Sequence, residues 1–219
     1  MVIGLDCAAP ELVLERWLDE LPVLRSLTER GRYGVLRSSH PPITVPAWSS
    51  MTSSRSPGAL GVYGFRNRRD HSYERLAFAD SRSIRLPRVW DLLSARRRPV
   101  IVLGVPQTYP VSRVNGVMVS CFLTPDTDTA QYTYPVELKA EIEELVGRYM
   151  VDVEDFRTDD KDRLLVDIEE MTEKRFRVAD RLKAEGFRVE LHDAHTDTLG
   201  ARVRRAKTEK VPYVLVVGD

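Results

Sequence analysis

Thr44 and Asp6 are the residues of this chain best suited to carry chemistry. Thr44 stands in Pro41-Pro42-Ile43-Thr44-Val45-Pro46-Ala47-Trp48, and Asp6 closes the apolar run Val2-Ile3-Gly4-Leu5. A carboxylate at the carboxyl end of a first strand lies where α/β sheets bind ligands, and it suits a hard metal ion. A hydroxyl held beside such an ion can become an activated nucleophile. Pro46 fits the first position of a helix, and the sequence predicts a short helix over 47–52 with Thr44 just before it. Free backbone N–H groups and the positive end of the helix dipole gather there and would receive a phosphate. The competing use of Thr44 or a neighbour is as a plain helix cap.

The elements that must position these residues alternate in type. Strands are expected at 2–5, 33–36, 100–103, 116–122, 187–191 and 213–217. Helices are expected at 10–20, from Pro22 to an end at Gly31, at 87–95, 136–146, 161–183 and 199–207. Asp159 or Asp160 can cap the long helix, and the acidic set Asp155, Asp159, Asp160 and Asp162 reads as its solvated start. The Gly- and Arg-rich stretch 55–70 reads as loop near the Thr44 site, as does 124–134. Alternating strands and helices imply an α/β fold with a largely parallel sheet covered on both faces.

Composition narrows the function classes. The 219 residues carry 33 basic and 33 acidic side chains, so a bulk polyanion binder is disfavoured while a local basic face is not. Two Cys, at 7 and 121, build no disulfide framework and predict reduced thiols. No apolar run reaches the ~20 residues of a membrane span, and no charged leader precedes an apolar core, so the expectation is a cytoplasmic chain without a membrane partner.

Several blocks in order resemble the type I phosphodiesterase and nucleotide pyrophosphatase family of the alkaline phosphatase superfamily. They are Val2 to Asp6, Leu21-Pro22 with Leu24, Leu27 and Gly31, the Thr44 stretch, and Ser56-Pro57-Gly58 with Gly61-Val62-Tyr63-Gly64-Phe65. Val105-Pro106 with Thr108-Tyr109-Pro110, Asn115 to Ser120, and Leu123-Thr124-Pro125 continue the series. The resemblance implies a three-layer, alkaline-phosphatase-like sandwich over 1–183 and a hydrolase of small phosphoester substrates. It further implies two divalent metal ions, usually zinc, with Asp6 and Thr44 as metal ligands and Thr44 as the nucleophile.

This chain departs from the family pattern in places. Cys7 replaces the Gly that usually follows the first Asp, Ser53 and Cys121 stand where Gly is usual, and Leu60-Gly61 replaces His-Gly. Ala47 stands where many members carry Asn. A two-metal centre needs about six ligands, and the family's Asp-x-x-x-His segment, Asp-His pair and final His have no counterpart here. His192, Asp193 and His195 are the candidates to substitute for them, against a plain polar loop leaving a strand.

Residues 180–219 are similar instead to part of the C-terminal anticodon-binding domain of threonyl-tRNA synthetase. Ala179 to Leu191, Leu199-Gly200, Arg204-Arg205-Ala206 and Lys210 to Asp219 carry that likeness. It implies a short βαβ-type fragment over 184–219 and contact with tRNA, for which Arg202, Arg204, Arg205 and Lys207 supply phosphate-binding charge. Two further basic groups are Arg66, Arg68 and Arg69, which could meet a substrate phosphate, and Arg96 to Arg98. Solvated faces are the competing reading of all three.

Overall fold

The computed structural model describes residues 2–70 and 72–184 and the backbone of 214–217. The strand expected over 187–191, the helix over 199–207, the His192, Asp193 and His195 cluster and the Arg202 to Lys207 group lie outside the described residues. The strands are β1 (Val2–Leu5), β2 (Arg66–Arg68), β3 (Leu76–Phe78), β4 (Val100–Leu103), β5 (Gly116–Val119), β6 (Thr133–Tyr134) and β7 (Val214–Val217). The α-helices are α1 (Pro22–Arg30), α2 (Thr44–Ser53), α3 (Pro57–Leu60), α4 (Val89–Ala95), α5 (Leu138–Val146) and α6 (Lys161–Ala184).

The chain divides into two compact units, one drawn from Met1–Ser38 and Val189–Asp219, the other from Ser39–Arg188. In the first unit β1 pairs in parallel with β7, Val2 opposite Val214 and Leu5 opposite Val217. The helix expected over 10–20 is instead a π-turn, Glu11–Arg16, followed by a 3₁₀ turn, Leu18–Glu20. Trp17 donates to the carbonyl of Leu12 at 2.8 Å, a five-residue span that widens the turn and breaks the α-helical register. Pro22 opens α1, and Gly31 caps it by donating to Leu27 at 2.8 Å. Residues 33–36 form no strand. Tyr33, Val35 and Leu36 are exposed, and β propensity without a neighbouring strand to pair with does not make a ladder.

In the second unit the central sheet is mixed. β4 and β5 run parallel, Val100 opposite Gly116 and Leu103 opposite Val119, while β6 joins β5 antiparallel. The sheet of this unit is mixed because the stretch expected as loop over 124–134 ends in β6, which returns along β5. Side chains alternate across the sheet with the strand period of two. Val117 and Val119 pack with α5 and α6 through Leu138, Ile142, Val146, Val178 and Leu182. Met118, Val100 and Val102 pack instead with Trp90 of α4.

Helix α6 is anchored by its C-terminal half. Val178 and Leu182 are buried, whereas Leu165, Val166 and Phe176 are exposed. Arg177 donates to the Leu145 carbonyl at 2.6 Å and Lys174 to the Arg148 carbonyl at 3.1 Å. Arg177 thereby satisfies a carbonyl in the last turn of α5 that has no intrahelical donor. Asp160 caps the start of α6 by accepting from the Arg163 N–H at 3.0 Å, as its place in the sequence predicts.

Two stacked tyrosines give this core a pH signature. The rings of Tyr132 and Tyr149 lie 5.5 Å apart and nearly parallel, and both residues are buried. Burial pushes the Tyr149 phenol up to about 12, opposed by Arg175. Burial also pushes Tyr132 up, with Glu143 adding to it. Raised folded-state values mean that this stability is complete below the unfolded phenol value near ~10 and is lost as pH climbs through the folded values. The unfolding free energy from urea titrations should be flat up to about pH 10, then fall by about 1.4 kcal/mol per pH unit for each phenol.

The Tyr132 hydroxyl is buried with no hydrogen-bond partner among the described residues. A buried polar group left unpaired is a net cost, so Tyr132→Phe should raise the unfolding free energy by about 1 kcal/mol. The same variant should lose part of the alkaline dependence, and a midpoint below wild type at neutral pH would contradict it.

Candidate active site

The loop after β4 carries Gln107, which holds the Thr44 helix through Ser49. α2 begins at Thr44 itself, with Ile43 as the extended residue before it. The sequence placed Thr44 ahead of a helix starting at 47; the helix starts three residues earlier. Pro46 is compatible with that start because the first-turn N–H groups have no intrahelical acceptor, so its missing donor costs nothing. The first bond of this turn runs from the Ala47 N–H to the Ile43 carbonyl at 3.0 Å. Thr44 is half-buried, while Val45 and Pro46 beneath it are fully buried. Val45 packs with Leu60, Val62, Ala79 and Ile84, which fixes the start of the helix from below.

A buried polar network locks the next turn of α2 to the end of the sheet. The Ser49 hydroxyl lies 2.6 Å from the Val45 carbonyl and also meets the side-chain oxygen of Gln107, which follows β4. The Gln107 side-chain amide donates to the Ala79 carbonyl at 3.2 Å, and the Gln107 backbone carbonyl accepts from Arg88 Nη1 at 3.0 Å. Arg88 is buried, stacks 4.9 Å over the Trp90 ring, and lies 3.5 Å from Asp91. Burial pulls its guanidinium below the usual arginine value, and Asp91 opposes that shift. Asp91 also accepts from the Arg88 N–H at 2.8 Å, which caps α4.

Sequence reasoning missed Ser49, Gln107 and Arg88. Gln107 sits between two motif residues, Pro106 and Thr108, and Arg88 reads as an ordinary solvated cation. Their role depends on burial and on the positive φ of Gln107, 62°, neither of which a one-residue pattern encodes.

Asp6 follows β1 as the sequence predicts, and its side chain is exposed. It belongs to one compact unit and Thr44 to the other. Cys7 beside it has φ 58°, and Ser54 at the end of α2 has φ 56°, left-handed conformations that glycine adopts most readily. Both Cys7 and Cys121 are free thiols. The expected loop over 55–70 contains α3 and β2, and β2 forms an antiparallel hairpin with β3. Its basic residues are stacked on aromatics, Arg66 5.0 Å over Phe78 and Arg68 4.5 Å over Tyr73.

Among the described residues no three His, Cys, Asp or Glu side chains form a group that could hold a metal ion. The described donor set does not fit a two-metal centre, which takes about six ligands. Nor is any described helix long and apolar enough to cross a membrane.

The family model for type I phosphodiesterase / nucleotide pyrophosphatase matches residues 1–209. This chain belongs to that family. Its membership makes a phosphodiester or pyrophosphate hydrolase the chemistry to which this α/β architecture is related. A second likeness is short. The chain is 49% identical to threonine–tRNA ligase of Thermotoga maritima over 43 residues, which is 20% of this chain and 7% of the relative. It is 43% identical to threonine–tRNA ligase of Enterococcus faecalis over 54 residues, 25% of this chain and 8% of the relative. It is 46% identical to threonine–tRNA ligase 1 of Bacillus subtilis over 43 residues, 20% of this chain and 6% of the relative. This phosphodiesterase-family chain thus spans less than a tenth of the length of those curated relatives. No solved structure matches it.

Proposed function

We propose that this chain hydrolyses small phosphodiesters or nucleotide pyrophosphates with Thr44 as nucleophile. The observation that carries the reading is the Thr44 hydroxyl at the first residue of a helix whose position is fixed by Val45 below and by Ser49 and Gln107 behind. Family membership supplies the reaction class. Thr44 Oγ1 would attack phosphorus as the bond to the leaving oxygen breaks, and that oxygen would leave with a proton. Water would then cleave the phosphothreonine, returning the threonine hydroxyl and releasing phosphate product. The Thr44 N–H, which has no intrahelical acceptor in the first turn, would bind a phosphoryl oxygen.

Asp6 is proposed as one ligand of a divalent ion, zinc being the family's usual metal. The remaining ligands would come from outside the described residues, with His192, Asp193 and His195 as candidates in this chain. The same reading proposes a three-layer alkaline-phosphatase-like sandwich over 1–183, a separate fragment over 184–219, and a cytoplasmic setting. Release of p-nitrophenolate from bis-p-nitrophenyl phosphate by the full chain supplied with zinc tests it. No release above the protein-free rate, with zinc or other divalent ions, would end the hydrolase reading.

The threonine–tRNA ligase matches favour a second reading, a tRNA contact through the C-terminal segment. It requires a salt-sensitive tRNA gel shift that is lost when Arg204 and Arg205 are neutralised.

A further inference from the structure

At the opposite end of β4 and β5 from α2, where β4 starts at Val100 and β5 at Gly116, the second unit has a cleft of about 560 Å³. Arg97, Arg113, Ser94, Asn115, Gly116 and Tyr134 line it, and no residue of its lining is acidic. A cleft of this size falls in the range that small ligands occupy. Arg97 and Arg113 enter it from two separate segments, one after α4 and the other before β5. Neither has a carboxylate within ion-pair distance among the described residues.

The backbone makes Arg97 the more telling of the two. The end of α4 closes as a Schellman turn, with Arg98 N–H donating to the Leu93 carbonyl and Arg97 N–H to the Ser94 carbonyl, both at 2.9 Å. Arg97 occupies the left-handed position of that turn, φ 54°, which glycine fills in most helices. A side chain there costs conformational energy that glycine would avoid. The turn is nevertheless built with arginine, and its side chain lines the cleft. The Asn115 N–H donates to Ser94 Oγ at 2.9 Å, tying the segment that carries Arg113 to the helix that carries Arg97. That bond fixes the backbone segments from which the two cations project.

We propose that this cleft binds a phosphate-bearing small molecule through Arg97 and Arg113. Guanidinium groups match phosphate oxygens with paired N–H donors and stay charged at any physiological pH. The length of the strands separates the cleft from the Thr44 end by roughly 10 Å or more, so this is a second anion site and not the catalytic one. It stands or falls independently of the hydrolase reading.

The test uses the full chain, with inorganic phosphate and AMP as probes, in calorimetry and amide chemical-shift titration. Saturable binding should shift the amides of Asn115 and Gly116. Arg97→Gly should weaken binding by about tenfold while raising the Tm by about 2 °C, because it relieves the left-handed strain. Arg113→Gln should weaken it by a similar factor. A higher Tm rules out misfolding as the cause of the lost affinity. Binding unchanged in both variants, shifts confined to the Val45 and Ala47 amides, or no saturable binding at all would overturn the proposal.

Discussion

Thr44→Ala is expected to lower bis-p-nitrophenyl phosphate hydrolysis by about 10³-fold or more while leaving the fold intact. Removing a nucleophile eliminates the covalent route altogether, and losses of this order follow when such a group is deleted. Folding should survive because the Thr44 hydroxyl holds no hydrogen bond among the described residues, and alanine is a good helix former at the first turn. Thr44→Ser keeps the hydroxyl and should retain measurable turnover. The measurement is kcat for each variant, with circular dichroism confirming equal helix content. Full activity in the alanine variant would remove Thr44 from the mechanism, whatever the family membership implies.

Gly116→Ala should be among the most destabilising single-methyl additions in the chain, by about 3 kcal/mol or more, lowering the Tm by roughly 10 °C. Gly116 has φ 140°, and a Cβ there would sit 2.1 Å from the Val100 carbonyl oxygen and 2.9 Å from the Val100 nitrogen. Those atoms belong to the neighbouring strand's backbone and cannot swing away without breaking the β4 to β5 ladder. Gly104→Ala is the control: φ is 65° but nothing lies within 4 Å of the added carbon. It should cost about 1 kcal/mol, the conformational penalty alone. Equal midpoints for the two variants would show that the contact with Val100 does not govern stability.

Local signals in the sequence located much of this. Val100-Ile101-Val102-Leu103 is apolar throughout because both faces of β4 are covered, and such a run is legible without a partner. Pro22 and Gly31 bracket α1 by chemistry that acts on the residue itself. β6 escaped because two residues carry no period, and its pairing with β5 is decided by the chain around it. The β2 to β3 hairpin escaped for a related reason: Leu76 and Phe78 are exposed, so no alternation of buried and solvated positions marks it. At the candidate site, Thr44 stood out through its prolines and Asp6 through the strand before it. Ser49, Gln107 and Arg88 did not, since each is an ordinary polar residue until folding encloses it.

The pairing of β1 with β7 bears on how the polypeptide is made. A ribosome delivers β1 long before its parallel neighbour β7 emerges. Through that interval Val2, Ile3 and Leu5 have an open strand edge, and even in the finished pair they remain substantially exposed. Contacts of such long range form late and slowly, so β1 is a segment on which a chaperone would have a long time to act.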